Sequence, residues 1–247
     1  MVLIFVFTYP VYLAAQEGGN SGANIRLDLY SRYFYRGFDY NLGKPVFQPN
    51  LFYKHDSGFE FNLFTSFGLD KKTEFDEFDI SGKYKFDVLE ELSLFIGAVG
   101  IFFPNTQSIP TSSGKFDYTY ELQSGMNYVW GDFSMGLLYA HDFKSADGDC
   151  IDINFSYGFD ISGTISAIPV MGMVYQTEYG FTGSFSNKFT SLYLFLPVEI
   201  NFETFTLIPS YNVSYIPSEQ MRAVNELYEA GYHKYLHFVG ISIKYAF

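Results

Sequence analysis

The C-terminal segment of this chain alternates strictly. Tyr235, His237, Val239, Ile241, Ile243, Tyr245 and Phe247 fall on one face, and Gly240, Ser242, Lys244 and Ala246 on the other. Successive side chains leave a strand on opposite sides, so a period of two with one apolar face specifies a half-buried strand. Its apolar face finishes on two aromatic rings, Tyr245 and Phe247. A final strand of this kind suits a barrel closed in an outer membrane, where aromatic side chains settle at the lipid–water interface.

The rest of the sequence can be held against that expectation. Aromatic residues make up 21% of the chain, with 29 Phe and 22 Tyr, more than a soluble core of this size requires. Mean hydropathy is nevertheless only +0.02. Beyond the N-terminus there is no run of about 18 apolar residues from which a membrane helix could form. Alternating strands with lipid on one side and water on the other reconcile these two properties.

Twelve or so alternating segments follow one another, at 24–36, 45–54, 58–69, 78–86, 92–103, 116–128, 133–143, 151–161, 164–176, 191–202, 205–216 and 234–247. The fifth is apolar on both faces, which leaves its orientation open. Short connections (56–57, 87–91, 131–132, 162–163, 203–204) take turns with mostly longer ones. This is the asymmetry of an outer-membrane barrel, with short periplasmic turns and long outer loops. An even strand number then places both termini in the periplasm. The expected fold is all-β, a closed antiparallel transmembrane barrel of about twelve strands, in one domain spanning residues 16–247. Residues 1–15, MVLIFVFTYPVYLAA, read as an export signal lacking the usual basic start, since no Lys or Arg occurs before Arg26.

Parity along these strands selects the residues that would line the lumen. In the first, Arg26, Asp28, Tyr30, Arg32, Phe34 and Arg36 oppose Ile25, Leu27, Leu29, Tyr33 and Tyr35. If the apolar set meets lipid, three arginines line one wall. Glu60, Asp79, Glu121, Asp152, Asp160 and Glu199 face inward by the same rule, with Lys83, Lys85 and Lys244. Opposed charges in a lumen of this width focus a field on a passing solute, or pair to brace the wall. Phe34, Phe64 and Leu138 are the inward apolar groups that would narrow it.

Other classes of function find little support. A net charge of −12 argues against nucleic acid, which requires a basic stripe. Cys150 is the only cysteine, so no intramolecular disulfide forms. For a lipid hydrolase, the leading alternative, His141-Asp142 with Ser145 is the only local cluster, and sequence neighbours on a strand face opposite ways. Asp147-Gly148-Asp149 supplies too few ligands for calcium, and nothing signals a cofactor or a resident metal. In the last long loop Ser218 can cap a short helix carrying Met221, Val224, Leu227 and Tyr228, closed by Gly231.

One stretch carries a resemblance. Ser31-Arg32-Tyr33-Phe34-Tyr35-Arg36-Gly37, followed by Gly43-Lys44-Pro45, Gln48, Tyr53 and Gly58-Phe59, resembles an uncharacterised bacterial family known as Gcw_chp. Glu77, Asp79, Gly82 and Tyr84 are similar to its acidic fourth strand, and the run from Gly97 to Pro104 to its glycine-rich fifth. The likeness is good over roughly residues 28–105, and beyond them Tyr120-Glu121-Leu122 also fits. Where that family tends to keep a Ser-Asn pair, this chain has Ser66-Phe67-Gly68. The resemblance implies an exported outer-membrane barrel of channel-like character with no settled substrate.

The expectation is therefore a barrel without enzymatic activity, in the outer membrane of a Gram-negative cell, passing small solutes through a charged lumen. Its partners would be membrane lipid and, through the strand ending at Phe247, the barrel-assembly machinery. A non-conducting structural or adhesion barrel is the third reading.

Overall fold

A computed structural model describes residues 2–5, 12–15, 21–41, 43–70, 76–104, 110–111, 114–115, 118–144, 147–177, 188–219, 221–223 and 234–247. Alternation becomes wall in twelve strands. These are β1 (Gly22–Tyr30), β2 (Val46–Lys54), β3 (Phe59–Gly68), β4 (Glu77–Asp87), β5 (Leu92–Phe102) and β6 (Tyr118–Trp130). They continue as β7 (Phe133–Asp142), β8 (Gly148–Tyr157), β9 (Val170–Thr177), β10 (Lys188–Asn201), β11 (Thr206–Tyr215) and β12 (Tyr235–Ala246). Each pairs antiparallel with its neighbours in sequence, and β12 returns to β1 from Gly240↔Tyr30 to Ala246↔Asn24. Closure leaves no strand edge exposed, which a wall in lipid requires because nothing there can satisfy a free backbone group.

Two strands are interrupted at one end. Phe159–Ser162 extends β8 past Gly158, and Ile165–Ala167 precedes β9 and pairs with β10 through Ser166↔Glu199. Val2–Phe5 pairs with Tyr12–Ala15 in a separate two-stranded ladder, so the residues read as an export signal add no strand to the barrel.

The outward faces are apolar and zoned. Leu27, Leu51, Ile80 and Ile241 are exposed around the middle. Towards one end lie Tyr84, Phe86, Tyr157, Phe159 and Tyr245, and towards the other Phe78, Phe102, Tyr118, Tyr120 and Phe143. Many of these rings stack in pairs, as Phe102 does with Tyr118 and Tyr120 with Phe143. An aliphatic belt between two aromatic girdles matches a bilayer's hydrocarbon and its two interfaces. The fifth strand, ambiguous by sequence, resolves here: Ser93, Phe95, Val99 and Ile101 are buried on the inner face while Ile96 and Phe102 are exposed.

The short turns lie at the end where β1 begins and β12 finishes, together with the β8–β9 connection and its two short strand extensions, and the remaining connections lie at the other. The lumen can therefore be described by a termini end and a loop end.

Candidate functional site

The inner wall is polar. Arg26, Asp28, Gln48, Asn50, Glu60, Asn62, Asp79, Lys83, Glu121, Gln123, Asp152 and Asn212 are all buried, and each alternates with outward apolar neighbours. No core made for stability alone would be built so, since each buried polar group must recover its hydration through a partner. Arg26, Glu60, Asp79, Lys83, Glu121, Asp152 and Glu199 stand on the inner face, where parity put them. Lys85 is less deeply set and reaches Asp87 at 4.0 Å. Asp160 is a correction: it lies on the exposed extension beyond Gly158, outside the buried part of the lumen.

Arg32 and Arg36 are a larger correction. The first strand ends at Tyr30, six residues before the expected limit at Arg36, and the chain then turns into the barrel. Phe34–Tyr35 pairs with Phe38–Asp39 in a small hairpin inside the lumen. Its turn is Arg36-Gly37, with φ of 48° and 94°. Two consecutive positive φ values give the turn whose twist matches a two-residue hairpin. Gly37 tolerates this and Arg36 does so at a cost. Tyr33 and Tyr35, expected against lipid, are buried at 3% and 8% exposure and pack with Phe38, Tyr40, Phe64, Val99, Ile101 and Met221.

The hairpin is fastened to distant strands. Arg36 Nη1 donates to Glu121 Oε1 on β6 at 3.0 Å, with both side chains almost fully enclosed. The Tyr33 hydroxyl donates to Glu77 Oε1 on β4 at 3.3 Å. A Cβ on Gly37 would stand 3.1 Å from Thr190 on β10 and 3.3 Å from the Met221 methyl. A segment rooted at β1 thus touches β4, β6 and β10 and crosses the lumen. Internally, Arg32 Nη1 bonds Asp39 Oδ2 at 2.5 Å, which also accepts the Gly43 amide at 2.8 Å. Asn41 Nδ2 donates to the Pro45 carbonyl at 3.0 Å and ties the hairpin's exit to β2.

Charge is distributed unevenly along the axis. At the loop end, wall acids Glu77, Glu121, Asp142 and Asp152 surround the hairpin, whose Arg36 offsets part of that charge while Arg32 is paired with the hairpin's own Asp39. Nearer the termini, Lys244 and Arg26 are register partners across the β12–β1 seam. Lys54 and Lys83 flank Glu60 on β2 and β4, and Lys83 Nζ pairs with Glu60 at 2.7 Å. Glu199 faces this basic sector from β10.

Beside the basic sector, where Lys83 Nζ lies 5.4 Å from the Phe95 ring centroid, apolar groups fill space. Phe95, Leu138, Ile168, Val170 and Phe195 form a buried cluster with Tyr193 against it. Phe95 lies over Gly125 and Tyr193 over Gly172, so closely that a Cβ at either glycine would stand 2.6 Å and 2.4 Å from the ring. Of the residues expected to narrow the lumen, Phe64 and Leu138 are fully buried, while Phe34 is half-buried against Phe238.

The local cluster weighed for hydrolysis is split between faces. Asp142 points inward and accepts the Thr119 hydroxyl at 2.8 Å. His141 points outward, its Nδ1 2.9 Å from Asp149, which also receives the Tyr139 hydroxyl at 2.6 Å. Ser145 lies outside the described residues. In the last long loop the Met221 amide donates to Ser218 Oγ at 3.2 Å, the expected helix cap; Val224, Leu227, Tyr228 and Gly231 lie outside the described residues.

Hairpin residues Tyr33, Tyr35, Phe38, Asp39, Tyr40 and Asn41 belong to the site and were not legible as such. Their signal was present: Asp39, Asn41 and Gly43 are turn formers closely spaced after an Arg-Gly pair.

Known structures share this architecture. The chain is similar to the KdgM porin, with a TM-score of 0.56 and 12% identity over 92% of this chain and 99% of that one. It is similar also to the NanC porin, with a TM-score of 0.54 and 10% identity over 90% and 97%. A third likeness, with a TM-score of 0.54 and 12% identity over 92% and 99%, is to the KdgM porin in complex with disordered oligogalacturonate. At these identities the likeness establishes the fold, a closed antiparallel barrel of twelve strands. No curated protein matches the sequence. A family model does, over residues 15–208, well past the stretch that carried the first resemblance. The chain belongs to the Gcw_chp family, described as bacterial proteins of unknown function.

Proposed function

We propose that this protein is a channel-like barrel of the bacterial outer membrane that passes small polar solutes, with the 31–45 hairpin as its constriction. The observation that carries this reading is the polar inner wall. Twelve strands direct Arg, Lys, Asp, Glu, Asn and Gln into an enclosed space while presenting aliphatic and aromatic residues outward. Such a wall is built for water and solute. The likeness to porins supports the reading at the level of fold. The apolar outward belt supports the membrane location, and β12 with the following Phe247 is the segment offered to the assembly machinery. The split between His141 and Asp142 supports a barrel without catalysis.

A second reading, a non-conducting structural barrel, is favoured by one observation: the aromatic packing of the hairpin against Phe64, Val99 and Met221 fills the loop end. Single-channel recording of the refolded protein in a planar bilayer separates the two. Discrete conductance steps, enlarged when residues 34–39 are replaced by a short Gly-Ser link, are the expected result. Silence from both forms, each verified as a folded barrel by heat-modifiable mobility, overturns the channel reading.

A further inference from the structure

Most lumen acids have a partner within the chain. Asp28 is held by Arg26, Glu60 by Lys83 and Glu121 by Arg36, while Asp152 accepts the Tyr193 hydroxyl. Asp79 differs. It faces the lumen from β4 at 1% exposure, and neither carboxylate oxygen has a hydrogen-bond partner. Its neighbours share that condition. Asn62, 2% exposed on β3, has both amide atoms without partners, and Ser81, two residues along the same face of β4, has an unpartnered hydroxyl. The register Asn62↔Ser81 and Phe64↔Asp79 places the three side by side on one patch of wall.

An enclosed carboxylate without a counter-charge is costly, and the cost is relieved by a proton or by a positive charge of suitable size, the two competing for the same oxygens. We propose that Asp79, Asn62 and Ser81 form a binding subsite for a small monovalent cation, an alkali-metal ion or a protonated primary amine. The inference rests on the channel reading for the cation's route and on the side-chain cluster for its site. A single carboxylate among neutral oxygens balances one positive charge. Calcium takes six to eight oxygens, generally with several carboxylates, and among the described residues no three acidic, His or Cys side chains converge as metal ligands. An anion is opposed by Asp79 itself and by Glu77 two residues away. A neutral polyol would leave the enclosed charge uncompensated. The amide and hydroxyl oxygens of Asn62 and Ser81 complete a shell that a bare alkali ion or an ammonium hydrogen can use. Phe64, between Asn62 and Ser66 on the inner face of β3 and the register partner of Asp79, packs at a tilt against Tyr33 of the hairpin with ring centroids 6.2 Å apart, so the subsite lies beside the constriction.

The test is the heat-modifiability midpoint of the refolded full-length protein in detergent, at equal ionic strength in potassium, methylammonium or tetraethylammonium chloride. The midpoint is expected about 2–4 °C higher with potassium or methylammonium than with the bulky tetraethylammonium ion. The more effective of the first two identifies the source of the charge. Asp79→Asn should abolish the difference while retaining the barrel, and Ser81→Ala, a smaller change that guards against misfolding of the first variant, should reduce it. Equal midpoints in the three salts, or a difference that survives Asp79→Asn, overturn the proposal. A salt-specific midpoint without conductance leaves the subsite standing and removes the channel; discrete conductance without a salt-specific midpoint does the reverse.

Discussion

The loop end and the termini end of the lumen are lined by the same twelve strands under the same alternation, yet they are filled in different ways. At the loop end a segment of backbone folds in, and Arg36 of that segment reaches Glu121 across the space. Nearer the termini only side chains enter, with the Lys244, Arg26, Lys54 and Lys83 sector beside the cluster around Phe95 and Phe195. A backbone segment can leave as a unit when its few fastenings are broken. Side chains fixed to a closed wall can only change rotamer. On the proposed channel reading, the difference assigns adjustable width to one end and fixed selectivity to the other.

Replacing Arg36 by Ala strikes the first end hardest. It strands the enclosed Glu121 carboxylate, a change that costs about 3–5 kcal/mol where a buried pair loses one member. A lower urea midpoint with larger single-channel conductance is expected, and the Arg36→Ala, Glu121→Ala double variant should recover part of the stability. Unchanged conductance in Arg36→Ala would break the contrast. At the other end, Phe95→Ala should cost a comparable or slightly smaller amount, about 3 kcal/mol, with a smaller effect on conductance. Gly37→Ala comes next. Its positive φ and the contact with Thr190 predict a loss of about 1–2 kcal/mol, measured by urea unfolding, with the hairpin loosened but present. Smallest in stability is Lys244→Gln, within about 0.5 kcal/mol. Its effect should appear in the reversal potential across a salt gradient, as reduced anion permeability.

The wall was readable in the sequence because period-two alternation is a local signal repeated twelve times. Even Asp79 and Glu199, far apart in sequence, were placed on the inner face by parity alone. The hairpin was not readable for the converse reason. Arg32, Phe34 and Arg36 keep alternating with Tyr33 and Tyr35 after the chain has left the wall at Tyr30, so periodicity continues where the strand does not. What ends the strand is tertiary: the pairing of Arg36 with Glu121 and the aromatic packing around Tyr33, neither of which has a sequence period. Partners for inward charges were unreadable too, because Lys83–Glu60 depends on register between strands. The orientation of β5 shows the same limit, since both its faces are apolar and only its packing, such as Phe95 over Gly125, reveals which is inside.

The seam between β12 and β1 joins the two most distant parts of the wall sequence. Ser31 and Val239, joined through the serine hydroxyl, are separated by 208 positions, and Phe247 exchanges backbone hydrogen bonds with Ala23. Every other pair of neighbouring wall strands is consecutive along the chain, whereas β1 and β12 are the first and last of the wall. A sheet lacking that pairing has two open rims that lipid cannot satisfy. That one pairing is the difference between an open arc and a cylinder, and losing it would reopen both rims at once.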